Sequence, residues 1–105
     1  MSENNKIVIN KNVPAKEIIE FRDSRGWTEW HTTANLIKSI SIEAAELLEL
    51  VQWEENIKDI NRIKEELADV LIYSITLAEK LSIDINEIIL NKIQKNAEKY
   101  PKSEF

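Results

Sequence analysis

The sequence contains no cysteine, a single glycine and only two prolines among its 105 residues. Without cysteine the chain has no disulfide, no thiolate nucleophile and no cysteine-ligated zinc. The scarcity of glycine and proline, together with 43% apolar residues, indicates a helical protein with short connections. A chain of this length makes one domain, because it leaves little room for a second core.

Long apolar runs and an excess of positive charge are also missing. No run of eighteen apolar residues is present, which excludes an ordinary membrane-spanning helix. Residues 1–6 are polar and lead into only a short apolar run, so we expect no secretory signal and a cytoplasmic protein. The formal net charge of −5 argues against duplex nucleic acid as a partner, because such binding relies on Lys and Arg at the phosphates. A small phosphorylated ligand that brings its own metal is compatible with this charge.

Apolar spacing and capping residues predict one all-α domain over residues 1–105, arranged as a four-helix bundle. Residues 1–13 are expected to be an N-terminal arm, a small edge strand or disordered, and residues 102–105 a polar tail. The predicted helices run from Pro14 to near Gly26, from Thr32 or Thr33 to about Trp53, from the N-cap Asp59 to near Leu81, and from Asp84 to about Glu98.

The second predicted helix is apolar around most of its circumference, as its sequence from Leu36 to Trp53 shows. A helix that is apolar nearly all round must be buried nearly all round, which four helices of one small chain can hardly provide. We therefore predict a homo-oligomer, a dimer or a tetramer, whose interface uses these helices. A two-fold dimer is the minimum.

Two acidic pairs border the apolar rows of the second and third helices. Glu43 takes a position on the apolar face of the second helix, and Glu46 lies beside it, three residues on. Glu66 and Asp69 repeat this spacing in the third helix, on a stripe that also carries Tyr73. Carboxylates next to buried rows are costly unless a cation lies between them. If the two helices pack antiparallel, the two pairs face one another across one pocket.

Oxygen ligands without cysteine or a helical histidine favour Mg²⁺, with Mn²⁺ as the alternative, over zinc. A ferritin-like di-iron site would need Glu-x-x-His on its helices, whereas the single histidine, His31, lies between the first two helices. Because Mg²⁺ commonly completes its shell with water and substrate phosphates, we expect a phosphate ester as substrate. A single acidic pair with this spacing more often lies on a solvent-exposed helix face. The repetition of the pair is what favours a metal site.

These motifs, in this order, resemble the MazG-like all-α nucleoside triphosphate pyrophosphohydrolases, and most closely their dCTP pyrophosphatase branch. The resemblance covers residues 18–101, and its acidic part is Glu43-x-x-Glu46, nineteen residues, then Glu66-x-x-Asp69. The matching segments are Trp30-His31 followed by Asn35-Leu36, EAAELLELVQW at 43–53, EELADVLIY at 65–73 and NKIQKNAEKYP at 91–101.

The resemblance implies Mg²⁺-dependent hydrolysis of a nucleoside triphosphate to the monophosphate and pyrophosphate. By the same resemblance, the metal ligands are Glu43, Glu46, Glu66 and Asp69, and one carboxylate takes a proton from the attacking water. Our own prediction for that base is Glu46. The implied substrate-binding residues are Lys92 and Lys99 at the phosphates, and His31, Trp53, Tyr73 and Asn96 at the base. Some relatives carry Arg near position 99, where Lys keeps the charge and loses the bidentate fork.

The expected substrate is a pyrimidine deoxynucleotide such as dCTP or an altered form of it, cleared from the nucleotide pool. Other base preferences within the superfamily, for dUTP, dATP or phosphoribosyl-ATP, are the enzymatic alternatives. A helical oligomer that senses nucleotides without turnover is the non-enzymatic alternative. The blandest alternative is a helical oligomer with paired surface acids, in which Glu43→Gln would affect neither nucleotide nor metal binding.

Overall fold

The computed structural model describes residues 13–55 and 59–102, and in these ranges it contains α-helices, a short 3₁₀ turn and no strand. The prediction of an all-α fold with four helices is confirmed. The predicted N-terminal arm and C-terminal tail lie almost entirely outside the described residues. The elements are α1 (Ala15–Ser24), the 3₁₀ turn (Trp27–Glu29), α2 (Thr33–Glu49), α3 (Ile60–Lys80) and α4 (Ile85–Lys99).

Side-chain caps begin three of the helices, as the sequence predicts. Thr32, Asp59 and Asp84 occupy the N-cap positions of α2, α3 and α4. Each cap oxygen accepts a hydrogen bond from a backbone N–H of the first turn that has no partner within the helix. The donors are the N–H groups of Asn35 at 3.1 Å for Thr32, of Asn61 at 3.1 Å for Asp59, and of Glu87 at 3.2 Å for Asp84.

The second helix ends earlier than predicted, at Glu49 rather than at about Trp53. The Leu50 N–H donates to the Leu47 carbonyl at 3.2 Å and the Val51 N–H to the Leu48 carbonyl at 3.0 Å, so the last turn tightens and the helix stops. Trp53 therefore lies in the connection to α3, where 88% of the residue is exposed.

The α2 and α3 helices pack against each other as an antiparallel pair. Ile63, near the start of α3, borders the same cavity as Leu50, at the end of α2. Tyr73, further along α3, borders a cavity with Ser39, in the first half of α2. The α1 helix packs against α3 and against the 3₁₀ turn. The acidic motifs thus come from facing helices, as the antiparallel arrangement requires.

The buried core of this chain is small. In the described ranges, the residues classed as buried are Leu36, Thr76 and Ala78. The Thr76 hydroxyl donates to the Ile72 carbonyl at 2.7 Å, which satisfies its polar group inside the core. Within these ranges, no helix has both the length and the apolar character needed to cross a bilayer.

The α4 helix extends away from the other three. All its residues except Ile85 are exposed, including the apolar Ile88, Ile89, Leu90 and Ile93. The radius of gyration is 17.0 Å, whereas a compact domain of about 100 residues has about 13 Å. Apolar residues of α2, such as Ile42 and Leu48, are exposed as well. One chain therefore leaves much of the apolar surface of α2 and α4 uncovered.

Candidate active site

Three carboxylates meet where α2 crosses α3. Glu43 and Glu46 come from α2 and Glu66 from α3, and one oxygen of each lies within 4.8 Å of the others. The spacing of three residues places Glu43 and Glu46 on one face of α2, and the antiparallel packing brings that face to Glu66. Three carboxylate oxygens at this separation can share one hard cation, because Mg²⁺ and similar ions prefer oxygen ligands.

The three carboxylates perturb one another strongly. A hydrogen bond with Glu46, burial and the charges of Glu46, Asp69 and Glu66 raise the pKa of Glu43 to about 7. Burial and the charge of Glu46 also raise the pKa of Glu66, although the nearby Arg62 acts against this shift. Crowded acids of this kind titrate together, and a positive ion between them would reverse the shifts.

Two carboxylate oxygens of the cluster lack a hydrogen-bond partner. The Oε2 atoms of Glu43 and Glu66 are buried, and no donor within the described chain reaches either of them. A buried acceptor without a partner destabilises the folded state, so a ligand bound to these two oxygens would stabilise it. An oxygen-preferring divalent cation fits this set of donors, because each orphaned oxygen would gain a positive partner.

Asp69, the fourth predicted metal ligand, lies next to the three-carboxylate cluster. It follows Glu66 by one turn of α3, and its charge contributes to the raised pKa of both Glu43 and Glu66. Asp69 also borders a cavity between α1, the 3₁₀ turn and α3. It therefore joins the acidic cluster to that cavity.

The cavity has a volume of about 460 Å³ and mainly apolar walls. Four rings follow one another along it: Phe21 and Trp27 have centroids 5.6 Å apart, Trp27 and His31 6.2 Å, and His31 and Tyr73 6.1 Å. Such walls suit a planar, mostly apolar group, which rings can contact by their faces or edges. The lining residues are Glu17, Ile18, Phe21, Arg22, Trp27, His31, Asp69, Ile72, Tyr73 and Thr76.

His31 is half-buried in the wall that this cavity shares with a more open cavity on the side of α2. Its Nδ1 atom is buried, and the described residues provide no hydrogen-bond partner for it. Burial, followed by the positive charges of Arg22 and Lys80, lowers the pKa of His31 below its usual 6.5. The ring is therefore neutral at neutral pH, with one nitrogen as donor and the other as acceptor.

The structure brings some of the predicted site residues together and leaves others apart. Glu43, Glu46, Glu66 and Asp69 form one acidic region, and His31 and Tyr73 lie in the adjoining cavity wall. Trp53 is exposed in the connection after α2. The remaining predicted residues are exposed on α4, which extends away from the site: Lys92, Asn96 and Lys99.

Several cavity residues do not follow from the sequence reasoning as site residues. Phe21 falls within the first predicted helix and Trp27 in the connection that follows it, and neither position marks a site residue. Thr76 lies on the same stripe of α3 as Asp69 and Tyr73, which is a usable signal. For Arg22 the sequence offers no such signal, because its position depends on how α1 packs against α3.

Comparison with known proteins finds similarity to one protein family and to proteins that are named as pyrophosphatases. The profile of the MazG-like family matches residues 38–105. dCTP pyrophosphatase 1 from Mus musculus is 33% identical, over 78% of this chain and 54% of that protein, and the Homo sapiens protein matches with the same values. The chain thus spans about half the length of the curated relatives it matches.

A solved structure shows the same fold. The crystal structure of a pyrophosphatase from Archaeoglobus fulgidus superposes with a TM-score of 0.78 at 40% sequence identity. The match covers 91% of this chain and 100% of that one. The likeness therefore extends over nearly all of both chains.

Proposed function

The chain belongs to the MazG-like family, and we propose that it is a Mg²⁺-dependent enzyme that hydrolyses a nucleoside triphosphate to the monophosphate and pyrophosphate. The observation that carries this proposal is the cluster of Glu43, Glu46 and Glu66, with two orphaned oxygens, next to an aromatic cavity. The relatives named as pyrophosphatases support the same reaction class.

Glu43, Glu46, Glu66 and Asp69 would hold the metal, with Mn²⁺ as a possible substitute for Mg²⁺. A bound divalent cation supplies neutralisation of phosphate charge and a lowered pKa for water. Glu46 would be the general base, taking the proton from water as it attacks the α-phosphorus. The closeness of Glu43 and Glu66 supports this role, because it keeps the Glu46 carboxylate at the proposed metal site.

The aromatic cavity would hold the base. Tyr73 and His31 contribute ring edges to its wall, and the orphaned Nδ1 of His31 offers one hydrogen bond to a polar group of the base. We propose a pyrimidine deoxynucleotide such as dCTP as the substrate, since the curated relatives are named for dCTP. The alternatives are the same reaction on dUTP, dATP or phosphoribosyl-ATP.

We further propose that the protein acts as a homo-oligomer, a dimer or a tetramer. The uncovered apolar residues of α2 and α4, among them Ile42, Leu48 and Leu90, support this assembly. In it, α4 of one chain would lie against another chain and bring Lys92, Asn96 and Lys99 to a phosphate and base site. Trp53 would be covered in the same way. We propose that the protein acts in the cytoplasm, where it would clear unwanted nucleotides from the pool.

Pyrophosphate release from a panel of deoxynucleoside triphosphates with Mg²⁺ tests the proposal. Glu46→Gln should lower kcat by about 10²- to 10⁴-fold, the usual contribution of a general base, and a chelator should abolish turnover. Glu65→Gln is the matched control, because Glu65 is an exposed carboxylate of α3 beside Glu66. Nucleotide binding without turnover would favour the helical oligomer that senses nucleotides. The absence of both binding and turnover would favour the alternative in which the acids are ordinary paired surface residues.

A further inference from the structure

Arg22 is a mostly covered cation in a helix whose other charged residues up to that point are exposed. It lies in the last turn of α1, a helix without buried residues, yet only 16% of its side chain is accessible. The side chain borders the aromatic cavity together with His31 and Tyr73. A guanidinium is rarely covered to this extent unless its donors are used.

One edge of the Arg22 guanidinium is held in place by its neighbours. The Nε and Nη2 atoms both donate to Oδ1 of Asp23, at 3.1 Å and 2.9 Å. The same oxygen accepts from the Thr28 hydroxyl at 3.1 Å, which ties the end of α1 to the 3₁₀ turn. The plane of the guanidinium is thereby fixed relative to the cavity wall.

The donors at the tip of Arg22 are left for another partner. A guanidinium has five N–H donors, and Asp23 uses one on Nε and one on Nη2. The three remaining N–H donors include one on each Nη atom. These two lie parallel to each other at the tip of the guanidinium. Such a fork matches two adjacent acceptors on a planar group.

Arg22 lies toward the aromatic part of the site rather than toward the acidic part. It lines the aromatic cavity, which Asp69 reaches from the acidic side, whereas the cluster of three carboxylates is not part of that lining. A triphosphate held by the acidic cluster would therefore place its base, not its phosphates, near Arg22. Among the residues that line this cavity, Arg22 is the cation.

We propose that Arg22 determines base specificity by donating two hydrogen bonds to adjacent acceptors on the base, N3 and O2 of cytosine. Uracil and thymine carry an N–H at N3, so the same fork would meet a donor and lose one bond. Guanine has adjacent acceptors at O6 and N7, but a pyrimidine is the base of the proposed substrate. The inference rests on the proposed function and names the group that selects cytosine.

Pyrophosphate release by the full chain tests this assignment with dCTP, dUTP and the dCTP analogue in which C–H replaces N3. Arg22→Gln should lower kcat/KM for dCTP roughly ten- to hundredfold, the usual effect of losing a bidentate contact to a base, and change dUTP much less. The analogue should be a poor substrate for the wild type, with little further loss in Arg22→Gln. Arg22→Lys keeps the charge without the fork and should also lose the preference for dCTP.

Lys16→Gln is the matched control, because Lys16 is an exposed cation of the same helix that pairs with Glu20 at 3.9 Å. It should leave the ratio of dCTP to dUTP turnover unchanged. An equal loss of turnover for all three substrates in the Arg22 variants, or an unchanged ratio of dCTP to dUTP turnover, would overturn the assignment. A parallel assay with dGTP that showed an Arg22-dependent preference for this nucleotide would overturn it as well. If Arg22→Gln does not fold, the ratio measured with Arg22→Lys decides the matter. A folded wild type that hydrolyses no nucleotide would overturn the proposed function as well.

Discussion

The α2–α3 pair and α4 carry different parts of the predicted site, and they are held in place in different ways. The pair packs along its length and brings the acids of both helices within reach of one cation. The α4 helix is exposed nearly throughout, although it carries Lys92, Asn96 and Lys99. Packing inside one chain is thus sufficient to assemble the acidic cluster, whereas the predicted phosphate and base contacts of α4 need a partner surface.

The largest loss of stability should come from a core substitution in the packed α2–α3 pair. Leu36 is fully buried in α2, and Leu36→Ala should lower the free energy of unfolding by about 2–5 kcal/mol through lost burial and the remaining cavity. Urea denaturation measures this change. Leu48→Ala is the control in the same helix, because 60% of Leu48 is exposed within one chain. Equal costs at the two positions and at every protein concentration would mean that Leu48 is covered by its own chain.

The difference between the α2–α3 pair and α4 would not hold if α4 functioned without a partner chain. Leu90 is 65% exposed on this helix, and Leu90→Glu should place a charge in the proposed interface between chains. We expect a fall in molecular mass, measured by light scattering, together with a loss of nucleotide hydrolysis. Lys64→Glu on the exposed side of α3 is the charge control. An active wild type that is monomeric at assay concentrations would contradict this prediction.

The acidic cluster should make the stability of the metal-free protein depend on pH. Because folding raises the pKa of Glu43 from 4.5 to about 7, the folded state binds this proton more tightly than the unfolded state. The free energy of unfolding should therefore fall as pH rises from about 4.5 to about 7, and this contribution should level off above pH 7. Thermal melts in chelator at pH 5 and pH 8 measure the difference.

Two variations sharpen this pH prediction. Glu43→Gln should flatten the dependence, because the glutamine does not titrate in this range. Added Mg²⁺ should raise the melting temperature more at pH 8 than at pH 5, since deprotonated carboxylates bind it better. A melting temperature of the chelated wild type that rises between pH 5 and pH 8 would contradict the assigned direction.

The smallest effects should come from removing the N-caps of α2 and α4, and these effects should differ between the two helices. Thr32→Ala removes the cap of α2 and should cost about 1 kcal/mol of global stability, as is usual for an N-cap. Asp84→Ala removes the cap of α4 and should instead reduce helicity locally, leaving the global unfolding midpoint nearly unchanged in a monomer. Amide hydrogen exchange can follow both variants. A global loss from Asp84→Ala in a monomer would show that α4 unfolds together with α2 and α3.

The features predicted correctly from sequence are local ones. Asp59 and Asp84 cap helices because their side chains reach backbone groups only a few residues away. The convergence of Glu43, Glu46 and Glu66 follows from spacing within two helices and a single assumption about how the helices pack. The sequence predicts the end of α2 too late, at about Trp53 instead of Glu49, because residues 50–53 contain no glycine or proline to mark the stop.

The features missed depend on contacts between distant segments. Arg22 and Phe21 become cavity residues only because α1 packs against α3, which the periodicity of α1 does not specify. The exposure of Lys92 and Lys99 likewise depends on where α4 lies after α3 ends. Sequence spacing places residues on a helix face, but it does not say which surface that face meets.

The raised pKa of Glu43 affects how the acidic cluster exchanges cations. With the pKa of Glu43 at about 7, this carboxyl holds a proton in a substantial fraction of metal-free molecules at neutral pH. A divalent cation that takes the same oxygens has to displace that proton into solution. Each binding event near neutrality should then release a fraction of a proton, and loss of the cation should take it back from the surrounding buffer.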